Sequence, residues 1–159
     1  MAEFRRMPRE IEIAFSGVAF RRRRRLVIPL ITMDPNGFPR VALLTMGEVR
    51  AVSPVRMAVA VMAGSRTAFN LVRRGTATVL YLVRRTTASI QARAGRGRVC
   101  DTDPRRRLFP LDIETVRLDQ PAEGEEDVAL LIGPTFGGRD SSRLFSDELY
   151  DELGRVAGA

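Results

Sequence analysis

The chain has 159 residues, enough for one domain with a real core but short for two, and no apolar run approaches the roughly 18 residues that cross a bilayer. It has no histidine and a single cysteine, Cys100, which excludes an internal disulfide, the usual Cys/His zinc site, and Ser-His-Asp or Cys-His catalysis. The formal net charge is +7 and all 26 basic residues are arginine, a field that favours anionic ligands and leaves any chemistry to a cofactor or to carboxylates.

Residues 1–25 read as a leader. Pro8 opens a short helix through Ile11, Ala14 and Phe15, although the alternation Ile11-Glu12-Ile13 also suits a strand. No apolar segment or cleavage site of a secretory signal accompanies it, so the expected location is cytoplasmic. Five consecutive arginines, Arg21 to Arg25, end the leader as a solvated connector, with contact to nucleic acid or an anionic surface as the sharper reading. From Leu26 to Asp34 the pattern becomes β, Asp34-Pro35-Asn36-Gly37 supplies a turn, and Arg40 to Val49 returns as the second strand of a hairpin. Pro29 has no N–H for a ladder and belongs at an edge or a bulge. A third strand spans Arg56 to Met62. A short amphipathic helix follows Ser65 and stops at Gly75.

Strands Thr76 to Val83, Thr87 to Val99 and Leu108 to Leu118 complete a set of six. Gln120 to Asp127 is an acidic loop, and Leu144, Phe145, Leu149 and Leu153 mark a terminal helix over Ser141 to Val156. This is a mainly β chain, a small antiparallel barrel with peripheral helices. Residues 26–120 make the barrel, and residues 121–159 make the acidic loop and a helix packed upon it. Glu123 to Asp127 and Asp147, Glu148, Asp151 and Glu152 read as solvated surface rather than paired catalytic carboxylates. Cys100 reads as an ordinary, partly buried thiol.

Three stretches carry candidate chemistry. Ser65-Arg66-Thr67 opens a helix, where unpaired N–H groups and the dipole stabilise an anion and two hydroxyls and a guanidinium add donors for phosphate oxygens. Alternatively, Ser65 simply caps the helix and Arg66 faces water. Arg40-Val41-Ala42-Leu43-Leu44-Thr45 sets an arginine and a threonine around an apolar strand, and Gln91-Ala92-Arg93 puts two long polar side chains on one face of another.

In this order and spacing the three stretches resemble the FMN-binding split-barrel family that includes the pyridoxamine 5′-phosphate oxidases, with its Arg-x-Val-Leu-Leu-Lys strand, Ser-Arg-Lys helix start and Gln-x-Arg pair. The likeness covers about Leu26 to Val99. It implies a six-stranded split barrel, a homodimer with cofactor at the subunit interface, and flavin-dependent oxidoreduction of a small molecule with an electron donor. By resemblance Arg40, Thr45, Ser65, Arg66 and Thr67 surround the phosphate and ribityl chain. The main chain at Val41, Ala42 and Leu43 faces the ring system, and Gln91 and Arg93 approach from the neighbouring subunit or strand. The chain departs from the family at Thr45 and Thr67, which stand where it has lysines. That leaves the positive charge to Arg40, Arg66 and Arg93 and keeps a deazaflavin open beside FMN. The family's vitamin-phosphate oxidases also carry a C-terminal Arg/His substrate segment, which Phe136 to Asp140 does not replace. No residue is singled out as catalytic.

Two other readings compete. A cofactor carrier without turnover has the same sequence features. A nucleic-acid-binding barrel draws on the net charge, but only 6% of residues are aromatic and none is tryptophan, so base-stacking platforms are lacking. No metal site and no membrane contact are expected.

Overall fold

The computed structural model describes residues 1–18, 24–120, 134–137 and 146–159. In chain order these contain β1 (Ala2–Phe4), α1 (Arg9–Phe15), β2 (Val27–Met33), β3 (Pro39–Thr45), a 3₁₀ turn (Met46–Glu48), β4 (Val49–Ser53) and β5 (Arg56–Met62). There follow α2 (Arg66–Arg74), β6 (Thr76–Val83), β7 (Thr86–Ala94), β8 (Arg98–Val99), β9 (Arg106–Asp119) and α3 (Asp147–Gly158). Of the arginine block, Arg21 to Arg23 lie outside the described residues, as do the acidic stretch Glu123 to Asp127, Gly138 to Asp140 and the expected helix start at Ser141 to Phe145.

The strands form one antiparallel sheet in the order β3-β2-β6-β7-β9-β5-β4, with β1 and β8 added to β9. The two ends of that path, β3 and β4, are joined through only the three residues of the 3₁₀ turn. The sheet must therefore curl until its first and last strands meet at one end, yet no ladder joins them among the described residues. A barrel left open along one seam results.

The class is as the pattern predicts, but among the described residues there are nine strands rather than six. The returning strand expected over Arg40 to Val49 breaks after Thr45, whose N–H donates to Glu48 Oε2 at 2.8 Å, and Val49–Ser53 continues as a separate strand. The long strand expected to reach Val99 ends at Ala94; Gly95 N–H still bonds the Pro110 carbonyl of β9 at 2.8 Å, and the chain pairs with β9 again only at Arg98–Val99. A Cβ on Gly97 would lie 2.4 Å from the Phe109 ring, so only glycine lets the chain approach this closely. Ala2–Phe4, within the leader, pairs with β9 in the register Ala2↔Leu118. Pro29 sits in an interior strand rather than at an edge, and is tolerated because the β2–β6 ladder involves only Leu30 and Ile31, which follow it.

Alternation fills the barrel. Met57, Val59 and Val61 of β5 join the inner core with Phe109 and Leu111 of β9, and Met7, Ile11, Ala14 and Phe15 of the leader and α1 join the same cluster. The other face of β5 carries Ala58 and Ala60, whose small side chains let α3 lie close with Leu149, Leu153, Val156 and Ala157. The Tyr150 hydroxyl donates to the Phe15 carbonyl at 2.9 Å, and the Arg50 guanidinium lies 4.6 Å from the Tyr150 ring centre. Burial pushes the Tyr150 hydroxyl up to about 12 against the opposing charge of Arg50. Among the described residues no helix is long and apolar enough to cross a membrane.

One expectation about acidic residues is overturned. Glu152 is fully buried, not solvated. Its Oε1 accepts the Asp101 N–H at 2.8 Å and pairs with Arg98 Nη1 at 2.8 Å. Oε2 accepts the Cys100 thiol at 3.1 Å, the Thr102 hydroxyl at 3.1 Å and the Thr102 N–H at 3.3 Å. Burial alone would raise this carboxyl, but the donors from Asp101, Cys100 and Thr102 outweigh it and hold the group at about 2. Cys100 is likewise fully rather than partly buried, and the pair ties α3 to the turn before β9.

Candidate functional site

The N-terminus of α2 is built by its cap. Ser65 Oγ accepts the Ala68 N–H at 3.1 Å, and because it acts there as acceptor, its own proton remains free to donate to a ligand. The helix presents its positive end and first unpaired amides at the same place. Arg66 is exposed, its guanidinium 5.3 Å from the Phe69 ring centre, whereas Thr67 is buried. Gly75 stops the helix at φ 64°, in the left-handed region that glycine enters without cost.

The β2–β3 turn packs along this helix through Asn70, a buried residue that Sequence analysis did not single out. Its amide donates to Asp34 Oδ1 at 2.8 Å and to Thr32 Oγ1 at 3.1 Å, and Asp34 pairs in turn with Arg40 Nε at 3.3 Å. Farther along α2, Arg74 donates to the Pro35 carbonyl at 3.2 Å. The Asn70 amide is the main reason the Asp34 carboxyl sits below its ordinary range; burial opposes it, and Arg40 and Arg66 add to it. The signal for Asn70 lies in the helix pattern, where it interrupts a buried face of Ala68 and Leu71.

Strand β3 sorts the remaining residues by parity. Arg40 and Ala42 pair with Thr32 and Leu30 and share the inner face with them, whereas Val41 and Leu43 pair with Ile31 and Pro29 on the outer face. Val41 is 55% and Leu43 60% exposed. Thr45, five residues from Arg40, is on the face opposite to it.

Gln91 and Arg93 lie on the outer face, opposite Thr78 and Thr76 of β6, and Arg93 Nε bonds Glu114 Oε1 at 2.8 Å. Gln91 lines a shallow cavity of about 220 Å³ with Ile31, Thr78 and Glu114. Because Thr76 directly follows α2, the pair sits by the C-terminal end of that helix. One helix length of roughly 14 Å therefore separates it from Ser65 and Arg66. In a single chain Ser65 and Arg66 stand at the start of α2, the Asp34–Arg40 pair lies beside its middle through Asn70, and Arg93 faces Thr76 just beyond its C-terminal end. Among the described residues no group of three or more His, Cys, Asp or Glu side chains gathers to hold a metal ion.

Comparison with solved structures matches this architecture. A candidate pyridoxamine 5′-phosphate oxidase from Lactobacillus delbrueckii aligns over 74% of this chain and 99% of its own, with TM-score 0.59 and 17% identity. The fold is the split barrel of pyridoxamine 5′-phosphate oxidase-like proteins. An FMN-binding protein from Syntrophomonas wolfei shares the split barrel at TM-score 0.55 and 10% identity, over 72% of this chain and 90% of its own. An F420 reductase does so at TM-score 0.50 and 9% identity, over 60% and 91%. No protein-family model and no curated protein matches the sequence.

Proposed function

We propose that the chain is an FMN-binding, oxidoreductase-like protein that acts in the cytoplasm as a homodimer on a small-molecule substrate or electron donor. The observation that carries this reading is the placement of Ser65 and Arg66 at the start of α2, one turn from Asn70, which holds the Asp34–Arg40 pair, in a barrel of the kind an FMN-binding protein also uses. The residues fit the group. Arg66 and Arg40, the Ser65 hydroxyl and the first amides of α2 are donors for a phosphate dianion. Asn70 Oδ1 is buried with no partner, an acceptor to which a ribityl hydroxyl would donate. As the first strand of the sheet path, β3 keeps one edge unpaired among the described residues, so the main chain at Val41, Ala42 and Leu43 has donors and acceptors for the ring, with Thr67 in the first turn of α2 near the phosphate and Thr45 on the other face of β3.

Gln91 and Arg93 are a helix length from this cluster in their own chain and would reach the cofactor from a second subunit. Exposed Phe38, Val41 and Leu43 give such a subunit an apolar seat. FMN supplies hydride and electron transfer on its own ring, so this chain's residues need only bind and orient it, and no histidine is required. A deazaflavin is the second reading. It is favoured by the fold shared with an F420 reductase and by threonines at 45 and 67 in place of two point charges.

The test is the visible spectrum of the purified protein before and after titration with FMN, and in parallel with a deazaflavin. Binding with loss of affinity in Arg66→Ala is the expected result. A parent protein that shifts neither spectrum, or a variant that retains FMN through dialysis as well as the parent, would sink the assignment.

A further inference from the structure

A second arginine cluster lies away from α2. The β7–β8 turn is pressed onto β9 by Gly95, bonded to the Pro110 carbonyl, and by Gly97, which has no room for a Cβ beside Phe109. This directs Arg96 and Arg98 toward the C-terminal end of α3. Together with Arg56 and Arg155 they line a cavity of about 450 Å³ whose apolar wall is Pro110 and Val156.

Two of these guanidinium groups are held in place by one nitrogen each. Arg98 Nη1 pairs with the fully buried Glu152 at 2.8 Å and with Asp101 at 3.2 Å, and Arg56 Nε pairs with Asp112 at 3.0 Å. Their remaining N–H groups are free of those pairings, so each fork is oriented before any ligand arrives. Arg96 and Arg155 are exposed and have no ion pair or side-chain hydrogen bond among the described residues. With Arg56 set against Asp112 and Arg98 against both Glu152 and Asp101, Arg96 and Arg155 are the two guanidinium groups without an acidic partner among the described residues, matching in number the charge of about −2 on a phosphate monoester near neutral pH.

The geometry points to this cavity as a binding site for a small organic phosphate monoester, with Arg96 and Arg155 neutralising the phosphate, Arg56 and Arg98 adding pre-oriented donors, and the Pro110–Val156 wall taking the organic part. It is distinct from the α2 site. Arg56 opens β5 and Ser65 follows its end, so in one chain the two are roughly 20 Å apart at a strand rise of about 3.3 Å per residue.

The experiment is a titration of the full chain with phenyl phosphate at physiological salt, followed by calorimetry and ³¹P NMR, on protein free of FMN and saturated with it. Saturable binding of one phenyl phosphate per chain is expected, with no binding of phenol. Arg96→Ala and Arg155→Ala should each weaken it about tenfold, the loss of a charge-assisted hydrogen bond, whereas Arg66→Ala should leave it unchanged. No saturation at millimolar phenyl phosphate, or binding that survives loss of both arginines, overturns the proposal. So does binding that vanishes with Arg66→Ala or when FMN is bound, since the arginines would then belong to a flavin site completed by a partner subunit. Failure of the chain to bind FMN refutes the flavin reading alone and leaves the arginine dependence as a separate result.

Discussion

Replacing Glu152 by glutamine tests how a buried carboxylate fastens the terminal helix. Either amide orientation sets an NH₂ against donors: against Asp101 N–H and Arg98, or against the Cys100 thiol and both donors of Thr102. Leaving a buried donor unpaired costs about 1–3 kcal/mol, and less for donors that water can reach, as at Arg98 and Asp101. The titration gives a second route to the same quantity. The carboxyl moves from an ordinary 4.5 to about 2 on folding, and each pH unit is worth about 1.4 kcal/mol, hence roughly 3 kcal/mol. A carboxylate whose folded pKa is depressed contributes fully above its unfolded value and loses that contribution as pH falls through the folded one. The parent should therefore exceed Glu152→Gln by about 3 kcal/mol at pH 7, a shift of roughly 6–12 °C in Tm for a domain of this size. The gap should narrow steadily between about pH 5 and pH 2. Urea unfolding of both proteins across this range isolates the residue, because every other carboxylate is common to them. A gap that stays constant with pH, or one below 1 kcal/mol at neutrality, would refute the account of Glu152 as a charged acceptor.

The other consequences concern the site and its frame. Gly97→Ala forces a methyl into the Phe109 ring and should cost about 1–3 kcal/mol by overpacking, read as a lower Tm with β8 loosened in hydrogen exchange; an unchanged Tm would mean that the turn is not pressed onto β9. Asn70→Ala removes the main cause of the depressed Asp34 carboxyl, so its titration, followed by carboxyl ¹³C NMR, should move up toward the ordinary aspartate range. An unmoved Asp34 would place the cause in Arg40. Leu43→Glu puts a charge on the exposed outer face of β3 and should turn the proposed dimer into a folded monomer in sedimentation; a parent that sediments as a monomer would refute the dimer, and a variant that sediments like a dimeric parent would remove β3 from the interface.

Elements whose signals are local were legible from sequence. Helix α2 runs from its Ser65 cap to its Gly75 stop because both ends are written in side-chain chemistry, and β5 and β6 match their expected limits because turns bound them on both sides. Elements that exist only through a distant partner were not. Val49–Ser53 looks like a continuation of β3 until Glu48 folds back on Thr45, and Ala2–Phe4 is a strand only because β9 is fourteen residues long and still offers Val116 to Leu118 for pairing. Glu152 escapes the sequence pattern for the same reason: in the helix it stands beside Asp151, which is exposed, and nothing within that segment announces that Cys100 to Thr102 will surround one of the two.

The candidate site shows the same division at a finer scale. Parity within a strand is readable, so Gln91 and Arg93 were expected on one face and share it. Parity also separates Arg40 from Thr45, five residues apart on β3, so that strand cannot aim both side chains at one ligand from one face. What joins Arg40 to the helix is Asp34, fixed by Asn70 from 36 positions away in sequence, a contact no spacing encodes. This arrangement has an electrostatic consequence. Asp34 offsets the charge of Arg40, and with threonines at 45 and 67 the full positive charge at the start of α2 rests on Arg66 alone. A phosphate at the proposed site would draw on Arg66, on an Arg40 whose charge Asp34 offsets, and on neutral donors from Ser65 and the helix amides. Such a site would draw its selectivity from geometry more than from charge, and in the proposed homodimer a further arginine would come from the partner's Gln91–Arg93 face.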